Sequence, residues 1–380
     1  MAKSTETTLK WISSSKKPRL QKRSKKSLTI VDLFCGCGGL TLGAWEAARL
    51  AGRPLDIRLA LDASESPLEV FKSNFPGTDK FRFKHADISR ILDNELGSEN
   101  SSVEKYWKGR IGDLDVIVAG PPCQGHSDLN NSTRRVDPRN NLYMKVIRAA
   151  EVFKPKSIII ENVPAVIHDQ KNVVGTASHW LQSKLGYKVT TFMLNVNALG
   201  LPQMRKRHIL LATKFQPLSY STPNLPENQS GIGLFLAGLE DEPNLKSHAF
   251  YKSSNMSAEN TSRVKHLFDH DLYDLPNEFR PPCHRDKKHS YVSMYGRLHS
   301  EKPAQTITGG FGSIGQGRYV HPTRQRTLTP HEAARLQGFP DFYDFKAVEG
   351  VSALREMIGN AAPPQITINI VTELIKQDLI

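Results

Sequence analysis

From residue 28 to about residue 214 the chain alternates short apolar runs with amphipathic stretches, and this alternation restricts the fold more than any other feature. The apolar runs fall at 28–34, 57–61, 81–85, 114–119, 157–160, 188–194 and 208–212. Helical periodicity over 40–50, 67–74, 142–153 and 177–185 separates several of them. Strands that alternate with helices pair mostly in parallel and are covered on both faces. The expected architecture is therefore α/β, a doubly wound sheet with its ligand crevice at the carboxyl ends of the strands. The pattern fades after Lys214: residues 215–290 are polar, rich in Asn, Ser, Pro and His, and show no long periodic helix. A second, smaller domain is expected to begin there, and 380 residues suffice for two. Order returns at Thr329-Pro330-His331-Glu332, which has the form of a capping box with proline at the first helical position. The stretch 364–376 reads as one amphipathic helix.

With 38% hydrophobic and 23% charged residues, the chain has an ordinary globular composition, and no apolar run approaches the roughly 18 residues of a membrane span. No apolar segment follows the basic N-terminus, so the reading is a protein without a secretory signal that stays in the cytoplasm, associated with the nucleoid. The formal charge of +13 favours a polyanionic partner. Residues 1–27 hold nine Lys or Arg against the single acid Glu6, and read as a disordered, solvated basic tail. The cysteines Cys35, Cys37, Cys123 and Cys283 are too scattered for a disulfide framework. No second ligand pair accompanies Cys35 and Cys37 at finger-like spacing, so no metal is expected.

Chemistry concentrates at the strand ends. Asp32-Leu33-Phe34-Cys35-Gly36-Cys37-Gly38-Gly39 ends a strand in glycines that permit a tight turn, and a helix follows with its amides free for a cofactor. Asp62, ending the next strand, is placed to accept hydrogen bonds from ribose hydroxyls. Alone, this pattern also fits a dinucleotide-binding dehydrogenase, and Asp62 and Asp87 also fit ordinary strand-end caps. Pro121-Pro122-Cys123-Gln124-Gly125-His126-Ser127 follows another strand, so Cys123 belongs to the crevice rim; a lone Cys would more often be a small apolar residue. Glu161-Asn162-Val163 ends the run Ile158-Ile159-Ile160, and a carboxylate there is costly in a core but suits the same rim. Gln203-Met204-Arg205-Lys206-Arg207 opens the last strand and brings cations to that side.

These blocks, in this order, resemble the cytosine-C5 DNA methyltransferases of bacterial restriction–modification systems. The resemblance runs from residue 28 to 380 and includes Arg297-Leu298, Pro303-Ala304-Gln305-Thr306-Ile307-Thr308 and Gly359-Asn360-Ala361-Ala362-Pro363-Pro364. It implies a Rossmann-like S-adenosylmethionine-dependent methyltransferase domain with a smaller target-recognition domain. It implies a methyl transfer to C5 of a flipped cytosine through a covalent Cys123–C6 adduct, with double-stranded DNA as partner. Cys suits that role because its thiolate is strongly nucleophilic and also a competent leaving group. By resemblance Glu161 meets the N3 edge of the base, with a proton held there by burial, and Arg205 reaches the cytosine or its backbone, paired with Arg207. The same resemblance gives Phe34, Gly36, Gly39, Asp62, Asp87 and Asn360 as cofactor-binding residues. It makes the segment 125–141, with Arg134, Arg135 and Arg139, a lid over DNA. Gln124, Ser127, Arg263, Arg285 and Arg297 are the candidate DNA contacts.

Two departures stand out: many relatives carry an aromatic that stacks on adenine where this chain has Ala63, and Phe is common where His126 stands. The implied organisation is a tail over 1–27, a catalytic and cofactor-binding domain over 28–214, a target-recognition domain over 215–344, and a segment over 345–380 that packs back on the catalytic domain. A monomer is expected, with a cognate restriction endonuclease acting separately. An RNA cytosine-C5 methyltransferase and a catalytically silent DNA-binding regulator are the alternatives. Intact Cys123, Glu161 and the arginine pair argue against silence.

Overall fold

The computed structural model describes residues 3–20, 26–76, 79, 82–122, 141–223, 230–239, 247–286 and 293–380. In chain order its first half runs α1 (Lys3–Ile12), β1 (Leu28–Leu33), α2 (Gly39–Leu50), β2 (Leu55–Asp62), α3 (Glu65–Asn74), β3 (Phe83–His85), α4 (Ser102–Ile111), β4 (Val116–Ala119), α5 (Asn141–Phe153), β5 (Ser157–Asn162), α6 (Val173–Ser183) and β6 (Lys188–Asn195). There follow β7 (Gln203–Met204), β8 (Lys206–Thr213), α7 (Gly233–Leu236), α8 (Ala258–Asp269), α9 (Pro282–Arg285), β9 (Ala304–Gln305), α10 (Pro330–Leu336), α11 (Val351–Asn360) and α12 (Pro364–Lys376).

The larger of two compact units comprises residues 18–195, 206–223 and 362–380. Its seven-stranded sheet has the order β3-β2-β1-β4-β5-β8-β6. The pairs from β3 to β5 are parallel, and β8 runs antiparallel to both β5 and β6. The order reverses between β1 and β4, which makes their carboxyl ends the switch point where a doubly wound sheet opens its crevice. Strands β4 and β5 are buried along their whole length, as expected of strands covered on both faces. The main core joins Val31, Leu33, Leu59, Leu61, Ile117 and Ile158 to helix residues such as Trp107, Ile111, Val146 and Leu181. Helix α12 packs on α2 at close range: a Cβ on Gly43 would lie 2.0 Å from the Pro364 carbonyl oxygen, and Thr367 Oγ1 donates to Leu40 O at 2.7 Å. Only glycine allows that approach.

The smaller unit comprises residues 1–17, 196–205 and 224–361. Regular structure is sparse in it, with β7 and β9 as a two-residue parallel pair. A core of Val264, Leu267, Leu275, Tyr295, Ile314 and Val320 holds its middle. The box at α10 forms as its sequence indicates: Thr329 and Glu332 cap each other's backbone amides, with Pro330 at the start.

Three expectations need correction. The segment before β1 is not disordered throughout, because residues 3–12 are helical and Ile12 is fully buried. Its inward positions, Thr5, Thr8, Leu9 and Ile12, repeat at helical spacing, and Asp341 N donates to Ile12 O at 2.9 Å. The polar stretch 215–290 does contain a helix, α8, capped by Ser257 and burying Val264 and Leu267. The unit boundaries also differ from the linear division: 196–205 leave the larger unit, and only 362–380 of the C-terminal segment belong to it.

Candidate active site

The glycine turn is held by backbone conformation. Phe34, Gly36 and Gly38 have φ of 60°, 51° and 90°, a left-handed region that costs glycine little. Gly36 N donates to Asp62 Oδ2 at 2.8 Å, and Ser64 N donates to Asp62 Oδ1 at 2.8 Å. Burial pushes the Asp62 carboxyl up, against these hydrogen bonds. A Cβ built on Gly36 meets nothing within 4 Å, so the turn faces open space. Beneath it Asp32 is fully buried and accepts from Thr41 Oγ1 at 2.6 Å, while its Oδ1 has no hydrogen-bond partner among the described residues. Burial, with Asp62 adding to it, pushes the Asp32 carboxyl up to about 8. An open glycine cradle and a carboxylate acceptor at the end of β2 together fit a nucleoside cofactor. Phe34 is half-buried and packs on the core, while Gly39 opens α2.

Asp87 is exposed, and its Oδ1 accepts from Ser89 N at 2.8 Å, capping its own turn. That hydrogen bonding holds its carboxyl below the usual range. Cys35 and Cys37 are buried, and burial keeps both protonated, Cys37 with a pKa of about 12. They are poor nucleophiles and poor ligands in that state.

The second half of the site lies at the ends of β4 and β5. Glu161 is buried, and Arg207 Nε on β8 lies 2.5 Å from its Oε1. A Cβ built on Gly120 would lie 3.6 Å from Glu161 Oε2, so the carboxylate stands beside the end of β4. Asn162 turns back: its Nδ2 donates to Pro121 O at 3.3 Å and its Oδ1 accepts from Val163 N at 2.8 Å. The chain then continues through Pro122 to Cys123. Cys123, Gln124, Ser127 and the segment 125–140 lie outside the described residues.

A scan against protein families matches residues 28–376 to the C-5 cytosine-specific DNA methylase family. The chain belongs to that family. It is 41% identical over 359 residues to the Type II methyltransferase M1.BsuMI of Bacillus subtilis (strain 168), covering 94% of this chain and 82% of that protein. It is 28% identical to the Type II methyltransferase M1.HphI of Haemophilus parahaemolyticus, over 93% of this chain and 88% of the relative. In fold it is similar to the Dnmt2 methyltransferase of S. pombe, with TM-score 0.63, 18% identity, and coverage of 92% of this chain and 99% of that one. The Entamoeba histolytica methyltransferase EhMeth aligns with TM-score 0.61 and 17% identity, over 93% of this chain and 99% of that one. As a member of this C-5 cytosine methylase family the chain is a DNA (cytosine-5-)-methyltransferase, on the expected Rossmann-like fold.

Within this methylase the predicted residues have separate fates. Among the described residues, the cation that meets Glu161 is Arg207. Arg205 instead belongs to the smaller unit, where its Nη1 and Nη2 donate to the carbonyl oxygens of Ile307, Gly359 and Ala361 at 2.8–3.3 Å. Through these backbone carbonyls the Arg205 guanidinium ties together separate segments of that unit. Gln203 joins the same network, donating to Leu336 O and accepting from Ile307 N. Asn360 ends α11 in the smaller unit and is exposed.

Of the candidate DNA contacts, Arg297 is half-buried over the rings of Phe268 and Tyr273 and donates to Pro322 O and Asp271. Arg263 donates to Phe279 O and Asn260. Both are committed to folding their own unit, while Arg285 is exposed beside Asp286. Sequence reasoning gave Asn162 no task, since its partner is a backbone carbonyl that leaves no mark in the sequence. Among the described residues no helix is long and apolar enough to cross a membrane.

Proposed function

We propose that this methyltransferase uses S-adenosylmethionine to methylate C5 of a flipped cytosine in a specific double-stranded DNA site, with Cys123 as covalent nucleophile. The observation that carries the reading is the buried Glu161–Arg207 pair, its second carboxylate oxygen beside Gly120, three residues before Cys123. Carbon 5 of cytosine is a weak nucleophile. Addition of the Cys123 thiolate to C6 makes the ring an enamine whose C5 can attack an electrophilic methyl group. As the thiolate adds, N3 takes a proton from the Glu161 carboxyl group, so the adduct is a neutral enamine, and Arg207 holds the carboxylate that is left. Loss of the C5 proton to water and elimination of the thiolate, with the N3 proton returning to Glu161, then restore the aromatic ring and the free Cys123. Asn162 is a positioning residue that fixes the backbone leading into the nucleophile. The cofactor supplies the methyl group on a sulfonium centre; Asp62 holds its ribose, and Phe34, Gly36 and Gly39 line its cradle, with Asp87 presenting its uncommitted oxygen to the adenine amine.

The target atom is stacked inside the duplex, so the nucleotide leaves the helix at a cost of a few kcal/mol. The charge of +13 favours the polyanion that must be held while this happens. Type II relatives support a role beside a separate restriction endonuclease, and the proposal takes the enzyme to act as a monomer in the cytoplasm. The test is incubation with tritiated S-adenosylmethionine, unmethylated DNA and, separately, total RNA, followed by nucleoside analysis. Label in 5-methyl-deoxycytidine is expected. Label confined to RNA would overturn the DNA reading, and none in either would overturn the catalytic one.

A further inference from the structure

The end of β2 carries the carboxylate that suits a ribose, but the next residue is Ala63, an exposed methyl group with no flat surface for a base. The neighbouring strand supplies one. We infer that His85 is a cofactor-binding residue, its imidazole forming the platform on which the adenine of S-adenosylmethionine rests. The inference rests on the methyl-donor reading above.

Three observations support it. First, His85 ends β3 as the register partner of Asp62 in the parallel β2–β3 pair, so the two side chains stand on one face at the carboxyl edge of the sheet. Second, His85 Nε2–H donates to the Ala63 carbonyl oxygen at 3.1 Å. That bond draws the ring across to the residue that follows the ribose acceptor, while leaving His85 exposed. The same bond assigns the proton of the neutral ring to Nε2 and leaves Nδ1 as an acceptor. Third, His85 lies near enough to Asp62 to act electrostatically on its carboxyl. An adenosine held by Asp62 through its ribose carries its base one glycosidic bond away. A purine has two apolar faces and is best met by a flat partner, for which an imidazole in this place is suited.

The competing account is that the His85–Ala63 hydrogen bond merely fastens two strand ends. Variants separate the two. His85→Ala removes ring and donor, His85→Gln keeps a side-chain N–H for Ala63 but no ring, and His85→Phe keeps a ring but no donor. The readout is the Kd of S-adenosylhomocysteine by titration calorimetry on the full chain, with ligand-free melting curves as a fold check. Because His85 is exposed, all three should melt close to wild type. His85→Ala and His85→Gln should each bind about tenfold more weakly, and His85→Phe within about threefold of wild type. Unchanged affinity in His85→Ala, or full affinity in His85→Gln with loss in His85→Phe, would overturn the platform and leave the methyl-donor reading standing. Failure of the wild-type chain itself to bind would overturn both.

Discussion

Removing the cation from the Glu161–Arg207 pair, by Arg207→Met, tests whether these two groups act as a unit. Arg207 Nε lies 2.5 Å from Glu161 Oε1, and each side chain is only 10% exposed. Methionine keeps the bulk of the stem and leaves the carboxylate without its counter-charge. Breaking a buried pair from one side costs about 3–5 kcal/mol. The exposure that remains lets water relieve part of that penalty, so the lower figure of about 3 kcal/mol applies. For a unit of this size each kcal/mol moves the melting temperature by roughly 2–4 °C, which gives a fall of about 6–12 °C. Glu161→Gln keeps an acceptor for Arg207 and should cost about 1 kcal/mol in stability. Methyl transfer, however, should slow at least ~100-fold, because the amide cannot give N3 a proton as the carboxyl group does. Combining the two substitutions removes the stranded charge, so the double variant should be about 2 kcal/mol more stable than the sum of the singles predicts. Urea denaturation gives the stabilities and single-turnover methyl transfer gives the rates. A wild-type melting temperature for Arg207→Met, or a coupling below ~0.5 kcal/mol, would refute the reasoning.

Asp32 predicts a pH dependence. Its folded pKa of about 8 lies above the unfolded value, so the folded state binds the extra proton between the two and stability falls as pH rises through that window. Asp32→Asn should therefore gain on wild type in melting temperature from pH 5 to 8; parallel curves would show that the carboxyl is not held protonated. Gly43→Ala places a Cβ 2.0 Å from Pro364 O and 2.2 Å from Thr367 Oγ1. It should cost about 1–3 kcal/mol in urea denaturation, and a neutral result would mean that α12 is not seated on α2 this closely. Ile12 is fully buried, so Ile12→Ala should cost about 2–5 kcal/mol by calorimetry, although it leaves the net charge unchanged. Indifference to this change would restore the picture of residues 1–27 as a solvated tail.

What was legible in the sequence follows from which interactions leave a local trace. The strand at Ile158–Ile160 announces itself because a strand buried on both faces must be continuously apolar. Thr329 to Glu332 are readable because a capping box is local chemistry. Helix α1 was hidden by its lysines, although Thr5, Thr8, Leu9 and Ile12 carry the spacing that would have found it. Helix α8 buries only Val264 and Leu267, too few for a visible period. The two-residue strands β7 and β9 have no periodicity to read. Arg205 and Arg207 look equivalent in sequence. One lies just before β8 and spends its guanidinium on the carbonyls of residues 307, 359 and 361, while the other lies on β8 beside Glu161. Those partners are more than 40 residues away in either case, so no local reading could have told the arginines apart.

The central claim is the covalent role of Cys123, and trapping the adduct tests it most directly. Duplex DNA synthesised with 5-fluorocytosine in place of cytosine lets a C6 adduct and methyl transfer form but denies the loss of a C5 proton, so the enzyme remains attached. The complex, formed with S-adenosylmethionine, is denatured, digested and mapped by mass spectrometry. The account predicts a denaturation-stable complex whose modified peptide carries the nucleotide on Cys123 and which Cys123→Ser does not form. An adduct on another residue, or no adduct from an enzyme that methylates ordinary DNA, would contradict it.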